Sequence, residues 1–362
     1  MPQPENSVAP VGMKAFADYA TEASDGKLGF EFFHSGTLIP VAELLPGLSS
    51  GVADIGMTIT PYAPDSLPNA AWTDRWAPSQ IDWGFPKASI SSVMKTRFSI
   101  ENDVVRSDME SENTVPLWSV DFGPYVMLCT EPAETPADLA GRSVRVGGEP
   151  HTTEVTNLGM TPSFIPGTDT YEALQRGVID CSYQDASAAA TQGLMGVAKN
   201  LILTDGSASS GAALSINKDT WDSLPAEAQE ILRDATVAAL TAYAQETLRL
   251  YAAMIELAQE EGVTITSSAE LDELLRNNRA AQGEAAIADS PASVADPSAV
   301  VADFQAIAGE WEQLWDQNIG LERVDSADTA GVIDSLSMGP DGVDWSSYEQ
   351  AVAALLEPVR QN

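Results

Sequence analysis

Side chains suited to catalysis are scarce in this chain of 362 residues. It holds two histidines, His34 and His151, and two cysteines, Cys129 and Cys181. No GxGxxG or GxxxxGK[ST] loop is present to cradle a phosphate, and no HExxH run brings two imidazoles to one metal. Asp325, Asp328 and Gly331 miss the spacing of a calcium loop. Both histidines read as surface or loop residues rather than catalysts. With 53 Asp and Glu residues, paired carboxylates arise by chance and say nothing of glycoside hydrolysis. No cofactor, no metal site and no enzymatic activity are expected. One basic side chain stands out. Ala140-Gly141-Arg142-Ser143-Val144-Arg145-Val146 reads as a turn running into a strand. If Val144 and Val146 face a core, Arg145 points the other way, because strand side chains alternate. A guanidinium there matches a carboxylate through its planar fork. That carboxylate belongs either to a ligand or to one of the chain's own acids, and residue chemistry alone favours the internal salt bridge.

The elements that must position Arg145 follow from periodicity. Met13, Phe16, Ala17 and Ala20 recur at helical spacing up to Asp25-Gly26, and Leu28, Phe30 and Phe32 alternate as in a strand. A helix carrying Leu44, Leu45 and Leu48 leads to a strand over 53–58. This alternation implies parallel strands covered by helices. Residues 61–86 form a loop region rich in Pro and Trp. A strand is expected over 114–120, and a second block of alternating strands and helices over 126–204. Residues 225–261 contain no internal Gly or Pro and read as one helix of roughly 55 Å, long enough to touch two domains. Residues 285–300 read as a linker, and Phe304, Ile307, Trp311, Leu314 and Trp315 as the face of a further helix.

Charge narrows the partners. Against 53 acids stand 18 Lys and Arg, a formal charge of -35, and only six of the bases are lysines. Nucleic acid and anionic membrane surfaces are excluded as partners, because both are bound through clustered bases. The excess suits a saline, halophilic or marine setting in which ions screen self-repulsion. Any anionic ligand must then be caught by a local positive group. No apolar run reaches 18 residues, and the first residues lack the basic and apolar regions of a signal peptide. Cys129 and Cys181 both fall in strand-like segments; the sequence leaves their pairing open, with two buried thiols favoured over a disulfide.

Four segments in order resemble the DctP-type solute-binding proteins of TRAP (tripartite ATP-independent periplasmic) transporters. They are Asp25 to Leu38 followed by Glu43-Leu44-Leu45 and Gly51 to Gly56; Thr135 to Val146 followed by Leu158 to Pro162; Tyr171 to Asp180; and Trp221 to Gln229. Together they cover about residues 7–320. The resemblance implies an α/β, two-lobe periplasmic binding protein fold with hinge strands and a long helix spanning both lobes. It divides the chain into 1–120 plus about 205–245 (lobe I), 121–204 plus about 246–320 (lobe II), and a tail over 321–362 packed on the lobes. It implies a small organic acid in the cleft, delivery to TRAP membrane permease subunits, a periplasmic location with any signal peptide already removed, and a monomer. By resemblance Arg145 becomes the carboxylate clamp, and Gln184 takes the place of the family's usual asparagine. Tyr125 stands where a second arginine is common. That lost cation favours a monocarboxylate over a dicarboxylate. Trp83, Trp118 and Tyr125 are candidate apolar walls, and Asp185 a candidate partner for an amine or hydroxyl. The family's usual strand before the first helix has no counterpart ahead of Asn6. A sensor or scavenger of the same fold, or a salt-adapted hydrolase, are the alternatives.

Overall fold

The computed structural model describes residues 8–81, 92–120, 123–206, 212–319, 324 and 327–360. Nine strands fall among them: β1 (Ile55–Ile59), β2 (Thr114–Val120), β3 (Val126–Cys129), β4 (Ser143–Val146), β5 (Thr161–Phe164), β6 (Cys181–Gln184), β7 (Asn200–Leu203), β8 (Ala212–Asn217) and β9 (Thr264–Ser267). They build two sheets, ordered β1-β8-β2 and β5-β4-β6-β3-β7-β9. Neither is the all-parallel sheet that the alternation of elements implies. In the first sheet β8 runs antiparallel between β1 and β2. In the second, β5-β4-β6 are parallel, β3 opposes both β6 and β7, and β7 pairs β9 in parallel. The two reversed strands are those that follow a crossing between the sheets: β3 after β2, and β8 after β7.

Each sheet has its own apolar core. Trp72, Trp76, Phe98, Phe304, Trp311 and Trp315 belong to the first. On the second sheet Val126, Leu128 and Leu201 pack with one cluster, and Met127, Val144, Val146 and Tyr183 with another on the opposite face. The helix Ala226–Glu260 joins them: Leu232 to Leu250 pack in the first core, and Tyr251 to Ala258 in the second. That helix touches a crossing directly, where Tyr251 Oη donates to the Pro124 carbonyl at 2.8 Å. Thr204 Oγ1 donates to the Tyr125 carbonyl, tying the two crossings together.

Several expectations need correcting. Residues 28–33 keep the alternating exposure of a strand but form no ladder; Leu28, Phe30 and Phe32 lean on the first core without a neighbouring strand to pair. The sequence reading assigns nothing to residues 262–284, yet β9 and a helix, Ala269–Ala288, lie there. That helix carries Asn277, Asn278 and Gly283 and a broken apolar pattern, because its two halves serve different cores. Leu271 and Leu275 pack under the second sheet, while Ala286 accepts from Trp72 Nε1 at 2.7 Å in the first. The expected linker is half helix, and the helix Pro297–Asn318, expected with lobe II, packs in the first core. Two thiols are not what the structure holds: Cys129 and Cys181 form a disulfide. They lie directly opposite each other in the antiparallel β3–β6 pair with Cα atoms 4.1 Å apart, a register that 52 residues of separation hide from the sequence.

Candidate functional site

The site begins with β4, which local hydrogen bonds fix at its start. Thr135 and Asp138 form a capping box on the helical turn Pro136–Leu139. Gly141 turns the chain with φ of 82°, and Arg142 donates to the carbonyls of Glu131 and Pro132 at 2.7 and 2.6 Å. Asp180 then accepts from Ser143 N at 2.8 Å and Ser143 Oγ at 2.7 Å, which hold its carboxyl below the usual carboxylate value. These residues carry much of the family resemblance, and their work is to seat β4 beside β6.

With β4 so placed, Val144 and Val146 are buried and Arg145 projects from the opposite face. Arg145 sits opposite Ser163 on β5 and Ser182 on β6, so Ser182 and Gln184 share its face. Arg145 and Gln184 lie near the carboxyl ends of parallel strands, where open α/β sheets bind ligands. The guanidinium is aimed by backbone: Nε donates to the Ile165 carbonyl at 3.1 Å and Nη1 to the Tyr183 carbonyl at 3.4 Å. Of its five N–H donors, three have no partner among the described residues. Among the described residues no carboxylate lies within ion-pair distance of Arg145, so the internal salt bridge favoured by residue chemistry is not formed there. Glycines leave the head uncovered. A Cβ at Gly147 would stand 3.4 Å from Tyr125 Oη, 3.5 Å from Arg145 Nη1 and 3.7 Å from Nη2; one at Gly167 would stand 3.9 Å from Nη2.

Tyr125 thus converges with Arg145 on Gly147. Its ring is buried, stacked on His151 at 3.9 Å and edge-on to Tyr183 at 5.4 Å. His151, expected at the surface or in a loop, is 2% exposed inside the helix Glu149–Asn157. Gln184 is 1% exposed: its Oε1 accepts from Ser182 Oγ at 3.1 Å, and its Nε2 has no partner among the described residues. A buried amide donor without an acceptor costs about 1–3 kcal/mol unless something supplies one. Asp185 caps the helix Ala186–Thr191 by accepting from Ala188 N at 3.0 Å. Burial raises its pKa, while the Ala188 N–H and the nearby Arg145 charge oppose that rise. Trp118 is not brought to this group. It is fully buried in the first core, edge-on to Tyr243 at 5.7 Å. Trp83 lies outside the described residues. The sequence reading misses Gly147, Gly167, Ser182 and His151; the Gly147-Gly148 pair between strand and helix is the one signal it leaves unused.

Two lobes, paired crossings and an arginine bared at the strand ends define a hinged binding protein. The model of the bacterial extracellular solute-binding proteins, family 7 (DctP), matches residues 2–281, and the chain belongs to that family. Among curated relatives, a solute-binding protein of Roseobacter denitrificans is 28% identical over 46% of this chain and 49% of its own length. The C4-dicarboxylate-binding periplasmic protein of Rhodobacter capsulatus is 29% identical over 36% and 39%. A monocarboxylate 2-oxoacid-binding periplasmic protein of Nostoc is 24% identical over 63% and 62%. The chain therefore spans between 39% and 62% of these relatives' lengths. Among solved structures, a TRAP periplasmic solute-binding protein from a Sulfitobacter species with bound β-D-galacturonate superposes with TM-score 0.68 at 20% identity, over 84% of this chain and 97% of the other. An extracytoplasmic solute receptor of Bordetella pertussis binding pyroglutamic acid gives 0.69 at 17%, over the same shares. The fold is the two-lobe one shared by these proteins. No helix among the described residues is long and apolar enough to cross a membrane.

Proposed function

We propose that this protein is the extracytoplasmic receptor of a TRAP transporter, working in the periplasm in a saline medium. It captures a small organic monocarboxylate between its lobes and hands it to the membrane permease without changing it chemically. The observation that carries this reading is the Arg145 head. It is aimed by two backbone carbonyls, bared by two glycines and unpaired with any carboxylate among the described residues. A ligand carboxylate would take the remaining guanidinium donors in bidentate fashion and offer the Gln184 amide its acceptor. Differential affinity for the closed form then shifts the lobe equilibrium.

The relatives hold small organic acids: those solved with galacturonate or pyroglutamic acid have ligands with one carboxylate, while the Rhodobacter capsulatus relative binds C4-dicarboxylates. Tyr125, uncharged where the family commonly has a second arginine, favours one carboxylate over two. The test is thermal unfolding across a panel of organic acids, with Arg145→Ala beside the parent. An acid at about 100-fold its dissociation constant adds roughly 2.7 kcal/mol to the parent, and Arg145→Ala removes that increment. If no carboxylate shifts the transition, or if the variant binds as the parent does, the reading is wrong.

A further inference from the structure

The second lobe buries charge behind the tyrosines that border the Arg145 head. Glu154 on the helix Glu149–Asn157 is 0% exposed, and Asp272 and Arg279 on the helix Ala269–Ala288 are buried as well. Their contacts converge on two residues. One is Tyr183, whose Oη donates to Glu154 Oε2 at 3.0 Å; Arg279 Nη1 lies 3.9 Å from Glu154 Oε1. Burial and the Glu154 charge push the Tyr183 pKa well above its ordinary value, so the phenol stays a donor. The other is Asp205, just past β7 on the crossing to β8. Its N–H donates to Asp272 Oδ1 at 2.8 Å, and its carbonyl accepts from Arg279 Nη1. Its Oδ2 lies 3.4 Å from both Arg276 Nη1 and Arg279 Nη2.

The neighbours of Asp205 carry this grip to the site. Thr204 Oγ1 donates to the Tyr125 carbonyl. Gly206 lies against Tyr183: a Cβ there would stand 1.8 Å from Oη, so bare backbone is needed while the phenol keeps its place. Tyr183 in turn meets the Tyr125 ring edge-on. His151, three residues before Glu154 on one helix face, stacks on that ring. Tyr125 is thereby held at its carbonyl and on two sides of its ring, and Arg279 pairs with both acids behind it, Asp205 and Glu154. Burying charges in this way adds little stability, because desolvation offsets the Coulomb gain. Its best-attested use is to fix one arrangement among several.

We infer that Arg279 is a positioning residue for the anion site: by holding Asp205 and Glu154 it fixes where Tyr125 stands beside Arg145. The inference rests on the Arg145 reading and extends it. Its test compares the parent with Arg279→Met and Arg279→Lys. Tyr183→Phe, which removes a single oxygen from the same network, repeats the calorimetry should Arg279→Met fold poorly. Without ligand, NMR of ring-labelled tyrosines, assigned with Tyr125→Phe, should show the Tyr125 and Tyr183 signals displaced in Arg279→Met. Those of Tyr243 and Tyr348 in the first core should stay in place. Calorimetry with lactate, pyroglutamate and D-gluconate is run well below the unfolding transition. The tightest of the three should bind about tenfold more weakly to Arg279→Met and to Tyr183→Phe, and Arg279→Lys should recover most of that loss. A purely structural role would lower the unfolding temperature and leave this affinity unchanged. That result, or Tyr125 and Tyr183 signals that do not move, overturns the inference and spares the clamp. If none of the three acids binds the parent, the Arg145 reading fails and the inference falls with it.

Discussion

Replacing Gly147 by alanine tests the site without touching any side chain in it. The new methyl carbon would lie 3.4 Å from Tyr125 Oη and 3.5 and 3.7 Å from the two Arg145 Nη atoms, and Gly147 does not have a positive φ. These are ordinary contacts, so folding should be little affected. The reduced freedom of the unfolded chain favours alanine by about 0.4–1 kcal/mol. The methyl nevertheless stands where a carboxylate oxygen would approach the fork to about 2.8 Å. Losing one charge-assisted hydrogen bond of a bidentate pair costs about 1.5–3 kcal/mol, which weakens binding about 10- to 150-fold. The assay is titration calorimetry with whichever acid shifts the parent's unfolding most, alongside thermal unfolding of both apo proteins. Unchanged affinity would refute the placement of the anion against this face of Arg145. A large fall in apo stability would show that Gly147 is needed for the backbone path instead.

Two further outcomes concern the frame around the site. Cutting the disulfide with Cys129→Ala and Cys181→Ala frees a loop with 52 residues of separation, worth about 4 kcal/mol by chain entropy; a loss under about 1 kcal/mol in a urea titration would reject that origin. Asp180 is held below its ordinary pKa by Ser143, so it stabilises the fold above its unfolded pKa and loses that contribution as pH falls through the depressed folded value. Asp180→Asn should therefore be less stable than the parent at pH 7, with the difference shrinking in acid; a difference that stays constant from pH 7 to pH 2 would contradict the assignment.

The limits of the sequence can be placed residue by residue. Thr135 to Val146 was readable because capping boxes, turn glycines and strand alternation are local physics; alternation gave the outward face of Arg145, and the family resemblance its role as a clamp. Residues 28–33 misled for the same reason: the alternation is there, but a strand also needs a neighbour, and pairing is not local. The helix Ala269–Ala288 was hidden because it divides its apolar face between two cores, which blurs the periodicity of each half. Trp118 was legible as a large aromatic and illegible as a core residue, since only packing against Tyr243 shows which way it faces.

By itself the sequence determined the family, the long helix joining the lobes, the acidic surface and the strand that presents Arg145. Each rests on order, composition or short-range periodicity. Tertiary structure alone decided the pairing of Cys129 with Cys181, the reversal of β3 and β8, and the convergence of Tyr125 and Arg145 on Gly147. Each of these joins residues far apart in the chain, and their meeting depends on strand register, which flips every side chain to the other face when it slips by one.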